Sequence, residues 1–150
     1  MAAAGFSLMA RERRFWMDLC VDEDCALQLH TESEPDTFAA ISAIAGEERL
    51  PAHRTIKHFS PPLVRECEPL NVFPSVIATK GALENALSQG TRFMLETDYI
   101  DDPARPGAVL GPKTVPRKTK EAIRNGVPEE VFYRIHKDNP ERSYGIKIEA

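Results

Sequence analysis

The sequence contains no apolar run approaching the ~20 residues that a membrane-spanning helix needs. That excludes a helical membrane span and leads us to expect a soluble protein with no membrane partner. Cysteine is scarce and odd in number: Cys20, Cys25 and Cys67 show no framework spacing. A disulfide scaffold is therefore excluded and reduced thiols are expected. Cys20 and Cys25 remain open as metal ligands, although buried small residues are the commoner role for such cysteines. Positive charge is not in excess either. Nineteen Lys and Arg against 23 Asp and Glu give a formal charge of −4, which argues against a general nucleic-acid coat. It leaves room for an enzyme that reaches nucleic acid through a metal. The opening MAAAGFSLMARERR lacks a basic stretch followed by an apolar core, so no signal peptide is expected and the expected setting is cytoplasmic.

What is present suits one domain. The 150 residues are 42% hydrophobic and 28% charged, enough for a sizeable core. Phe6, Met9, Ala10, Trp16 and Leu19 recur at helical spacing, with a turn at Asp22, Glu23 and Asp24. A short strand over 25–30 ends abruptly in polar residues from His30 to Pro35. Asp36 or Thr37 can cap a helix through Ile44, with Gly46 ending it. Residues 54–57 read as a second strand, running into His58 and the Pro61-Pro62 pair, which leaves room for at most a short helix over 63–67. A third strand over 72–78 contains Pro74, which suggests a start just after it. A helix over 80–88 turns Leu83, Ala86 and Leu87 inward and closes at Gly90. The fourth strand is 92–98, followed by a long loop over 99–117 and a helix over 118–124 that stops at Asn125-Gly126. Pro128, Glu129 and Glu130 suit the first turn of a last helix, expected to stop before Asn139-Pro140. Strands alternating with helices predict an α/β fold of about four parallel strands with flanking helices.

In parallel sheets the functional groups sit at the carboxyl ends of the strands. The segment 93–110 fits that pattern: Phe93-Met94-Leu95 is apolar, and Glu96, Asp98, Asp101 and Asp102 follow within seven positions. Alternation puts Met94, Glu96 and Asp98 on one face and Phe93, Leu95 and Thr97 on the other. The same rule singles out His30, His58 and Asp98. Imidazoles and a carboxylate converging at strand ends suit Zn²⁺ or another divalent ion such as Mg²⁺ or Mn²⁺. Asp98 could also orient or deprotonate a water. Glu32 and Glu96 are candidates for orienting the histidines. Taken singly, each histidine is more often structural than a ligand. His53 reads as a surface residue, and His136, late in the last helix, reads as a cation at a negative helix end. Lys113, Arg117, Lys118 and Lys120 form a basic cluster: a solvated face, or a hold on substrate phosphate, with Lys113 and Arg117 the substrate candidates.

At these residues the sequence resembles the TatD-type metal-dependent hydrolases, members of the amidohydrolase-like TIM-barrel group. The resemblance is carried by QLHTE at 28–32, KHFS at 57–60 and LETD at 95–98. The segment 96–119 resembles an archaeal branch in particular, and Asn139-Pro140 with Tyr144-Gly145-Ile146 resembles the family's closing segment. The resemblance implies the carboxyl-terminal half of a (β/α)8 barrel, units five to eight, as a single partial domain over 1–150. It implies that His30, His58 and Asp98 end the fifth, sixth and eighth strands, with the histidines on one metal and Asp98 on the other or on the nucleophilic water. The implied activity is hydrolysis of DNA phosphodiesters with a divalent metal.

One departure stands out. The family opens with a strand bearing His-x-His and takes a bridging glutamate from its fourth strand. The four histidines here, His30, His53, His58 and His136, include no such pair. Two expectations follow: a hydrolase whose site is completed by a missing amino-terminal half, or a non-catalytic remnant or interaction module that pairs with that half or with itself. A half barrel leaves open sheet edges and an unclosed interior, which predicts self-association.

Overall fold

The structure, a computed structural model, describes residues 11–30, 54–57, 64–79, 81–97 and 111–149. The side chains of 11–14, 29–30 and 54–57 fall outside that description, as do the helix expected through Ile44 and the loop 99–110.

Four strands form one parallel sheet in the order β1-β2-β3-β4: Leu27–His30, Arg54–Lys57, Phe73–Ile77 and Met94–Glu96. Spatial order equals chain order, so each strand pairs with its neighbour in sequence. β3 starts at Phe73, and Pro74 stands inside it, in register with Ile56. The ladder to β4 begins only at Ser75. Up to Pro74 the strand therefore has a neighbour on one side alone, where a residue without an N–H is tolerated. β4 is shorter than the expected 92–98 because its pairing partner, β3, supplies only Ser75 to Ile77.

Helix α1, Arg11–Asp22, buries Met17 completely, whereas Trp16 and Leu19 are exposed. This corrects the expected inward face. Phe15, Trp16, Met17 and Leu19 spread around the cylinder, and only one of these directions can meet the sheet. Helix α2, Val64–Cys67, is the single turn that the proline pair allows, with Val64 and Cys67 buried. Helix α3, Ala82–Gln89, buries Leu83 and Ala86 as its 3.6-residue periodicity predicts. It ends at Gly90, whose φ of 154° is open to glycine, with its N–H donating to the Ala86 carbonyl at 3.1 Å.

Helix α4, Thr114–Arg124, starts earlier than the sequence suggests, so the expected loop 99–117 gives up its last four residues to helix. Pro116 does not delay the start, because it lies in the first turn, where N–H groups lack intrahelical partners anyway. Helix α5, Glu129–Tyr133, does not stop before Asn139. It continues through a π-turn, Arg134–Asp138, into helix α6, Asn139–Tyr144, which ends at Gly145. The π-turn explains how Pro140 is accommodated. A proline ring in a helix collides with the carbonyl four residues back, and the wider turn makes room for it. Within it, the Asn139 N–H reaches the Arg134 carbonyl, five residues back.

The core lies between the β3-β4 side of the sheet and these helices. Val64, Val76, Leu83, Ala86, Phe93, Phe132 and Ile135 are buried together, with Leu95, Ala122 and Ile123 packed against them. Asn139 joins this layer to β4. Its buried side-chain amide donates to the carbonyls of Thr91 at 2.7 Å and Phe93 at 2.8 Å.

Candidate active site

The carboxyl edge of the sheet is where the described backbone brings the candidate residues. His30 is the last residue of β1, in register with Lys57, the last residue of β2. Lys57 is in turn aligned with Ser75, and Ser75 with Met94. One row thus crosses all four strands. His58, Asp98 and Glu32 lie outside the described residues, but covalent geometry tethers two of them. His58 is one peptide, about 3.8 Å, beyond the residue that faces His30. Asp98 is one peptide beyond Thr97. His30 and His58 fall on successive rows, since the row of His30 passes through Lys57.

Below this edge the sheet separates two environments. Val76 and Leu95 are in register and belong to the helix-covered core. Ser75 and Met94, also in register, are both buried. Glu96 continues the Met94 face of β4 by alternation and is half-buried, aligned with Ile77; its carbonyl accepts the Ala78 N–H at 2.8 Å.

Lys113, directly before α4, and Arg117, in its first turn, are exposed. Lys118 differs from them: it is less exposed and holds the Glu121 carboxylate at 3.0 Å. Arg124, passed over in the sequence, lines the same groove as Lys113, Arg117 and Lys120. Its signal was the spacing 113, 117, 120, 124, which returns to one helical face. His136 needs a correction. It sits inside the continuous run from Glu129 to Tyr144, so no helix end is there for it to stabilise. Its Nε2 lies 2.9 Å from the Thr119 hydroxyl and its ring stacks on Phe132. The residue stays exposed overall, but partial desolvation of its ring lowers its pKa.

Cys20, Cys25 and Cys67 are all free thiols. Burial, with the Glu66 carboxylate adding to it and the Arg92 guanidinium opposing, pushes the Cys67 thiol up to about 12. A thiol so protonated is neither a nucleophile nor a ready metal ligand near neutral pH. Among the described residues no three His, Cys, Asp or Glu side chains are grouped to hold a metal. The side chains of all three candidate ligands, His30, His58 and Asp98, lie outside them.

The family comparison takes in nearly the whole of this framework. The family model described as TatD related DNase matches residues 14–145. The chain belongs to the TatD-related DNase family. An uncharacterized protein of the archaeon Methanocaldococcus jannaschii is 42% identical over 138 residues, 91% of this chain and 49% of the relative. The chain therefore spans about half the length of the curated relative it matches. As a TatD-family protein it is assigned to a hydrolase family. Among its described residues, no helix is long and apolar enough to cross a membrane.

Proposed function

We propose that the chain supplies the carboxyl-terminal half of a TatD-type (β/α)8 barrel that hydrolyses phosphodiester bonds in nucleic acid. The carrying observation is the TatD family match over 14–145, laid on four parallel strands in chain order. The donor set fits a divalent ion such as Zn²⁺, Mg²⁺ or Mn²⁺: two imidazoles and a carboxylate, each from a strand end or just past it. Such an ion, when bound, makes hydroxide available near neutral pH. His30 and His58 offer ring-nitrogen lone pairs from neighbouring strands. Asp98 orients the attacking water and takes its proton, while Glu96, two residues earlier, and Glu32 hold the ligands in their productive rotamers. Lys113 and Arg117 are placed to take charge from substrate phosphate.

Strand spacing supports a barrel. β1 and β4 are three spacings apart, about 14 Å in a flat sheet. His30 and Asp98 approach one site only if the sheet curves, and closure supplies that curvature. The partner is then an amino-terminal half-barrel, or a second copy of this chain. A second reading is a non-catalytic module that pairs with the other half or with itself.

The test is turnover. The chain is joined to the amino-terminal half of the Methanocaldococcus relative and given a DNA oligonucleotide with Mn²⁺. Cleavage that stops in EDTA is expected, with His58→Ala and Asp98→Asn each lowering it by about 10²-fold or more. No metal-dependent cleavage in the joined protein would leave the non-catalytic module.

A further inference from the structure

The outer surface of α4 carries a feature that the strand-end chemistry does not use. Lys113, Arg117, Lys120 and Arg124 are all exposed and together line a groove of about 530 Å³. Their spacing of four, three and four residues keeps them within about 60° of one another at 3.6 residues per turn, along about 16 Å of helix. Four cations in a row repel unless something compensates them. One carboxylate, Glu121, lines the same groove, but it is held by Lys118 at 3.0 Å, and among the described residues none of the four cations has an ion-pair partner. The helix cannot rotate the row away, because Thr114 is buried and Ala122 and Ile123 pack against the core on its other side.

A straight row of uncompensated, long-armed cations fits a linear polyanion. A nucleic-acid strand presents one charge per about 3.4 Å of axis, or about five along this row. A membrane surface fits less well, because lipid-binding helices pair their cations with large apolar side chains. The exposed large hydrophobics, among them Phe15, Trp16, Tyr133 and Ile146, are not on α4. We infer that Lys113, Arg117, Lys120 and Arg124 form a track for the phosphodiester backbone of a nucleic-acid strand, bound by charge without reading its sequence. The inference rests on the hydrolase reading for its purpose. In an α/β unit the helix after a strand starts on the strand's carboxyl side, so Lys113 marks the end of the track nearest the strand ends and Arg124 the end farthest from them. Arg117 and Lys120 are positioning residues, not catalytic ones.

The test uses the full chain in EDTA, so that binding is read without turnover. Fluorescence anisotropy follows a labelled 12-nucleotide single-stranded DNA between 25 and 200 mM salt. Four contacts predict a slope of log K against log salt of about −3, and Arg117→Ala with Lys120→Ala should flatten it to about −1.5. Glu121→Gln releases Lys118 and should tighten binding, which keeps the test alive if the double variant does not fold. A slope unchanged by both, or equal binding of a poly-glutamate peptide or of anionic vesicles, would overturn the inference. Cleavage of the same oligonucleotide by the joined protein in Mn²⁺ is read separately. Binding that follows the track without cleavage sinks the hydrolase reading alone. Cleavage with an unchanged KM in the double variant sinks the track alone.

Discussion

The two ends of the sheet are built differently. At the β4 end, Phe93 is fully buried, Leu95 joins the core, and Asn139 ties the backbone to the last helix with two short hydrogen bonds. At the β1 end, Leu27 is the one described side chain among the buried hydrophobics. The nearest long-range tie there is the exposed hydrogen bond that the Tyr144 hydroxyl donates to Gln28 at 3.2 Å. Yet the candidate imidazoles belong to the β1-β2 end. Among the described residues, the enclosed packing lies where the chain meets its own carboxyl-terminal helices.

Truncating Phe93 should break this contrast most severely. Phe93→Ala removes a wholly enclosed ring from the centre of the core and should cost about 3–5 kcal/mol in chemical denaturation. Asn139→Ala leaves two carbonyls near β4 without their donor and should cost about 1–3 kcal/mol. Gln28→Ala, at the other end, deletes one exposed hydrogen bond and should cost less than about 1 kcal/mol. If Gln28→Ala proved as damaging as Asn139→Ala, the asymmetry between the ends would be wrong.

The smallest effect concerns pH. Burial lowers the His136 pKa below its ordinary 6.5, so the folded protein binds that proton less readily than the unfolded chain. The stability this contributes is complete above pH 6.5 and is lost as pH falls through the lowered folded value. Melting curves should shift down in that window, and His136→Gln should reduce the shift. A melting temperature that rose on acidification through the same window, restored by the substitution, would reverse the sign.

Much of this was legible in the residues. Leu83 and Ala86 recur at helical spacing and Gly90 stops their helix, so local chemistry and tertiary packing agree. His30 was visible because a short apolar strand turns polar there. The failures came where a local rule met a long-range contact. Pro140 reads as a stop, but a π-turn carries the helix through it and delivers Asn139 to β4, 46 residues earlier. His136 was assigned to a helix end that does not exist, and its partner Thr119 lies 17 residues away. Trp16 and Leu19 have the right spacing for burial, but Met17 takes the inward position. The helix over 118–124 was started too late because a proline at 116 is tolerated in a first turn, and where that turn begins is set by packing.

The most direct measurement pairs turnover with thermal stability in the joined protein, for His30→Ala, at the end of β1, against the parent. If chemistry and stability are carried at separate places, Mn²⁺-dependent cleavage falls by about 10²-fold or more while the melting temperature in EDTA stays the same. Cleavage that survives His30→Ala would contradict the account.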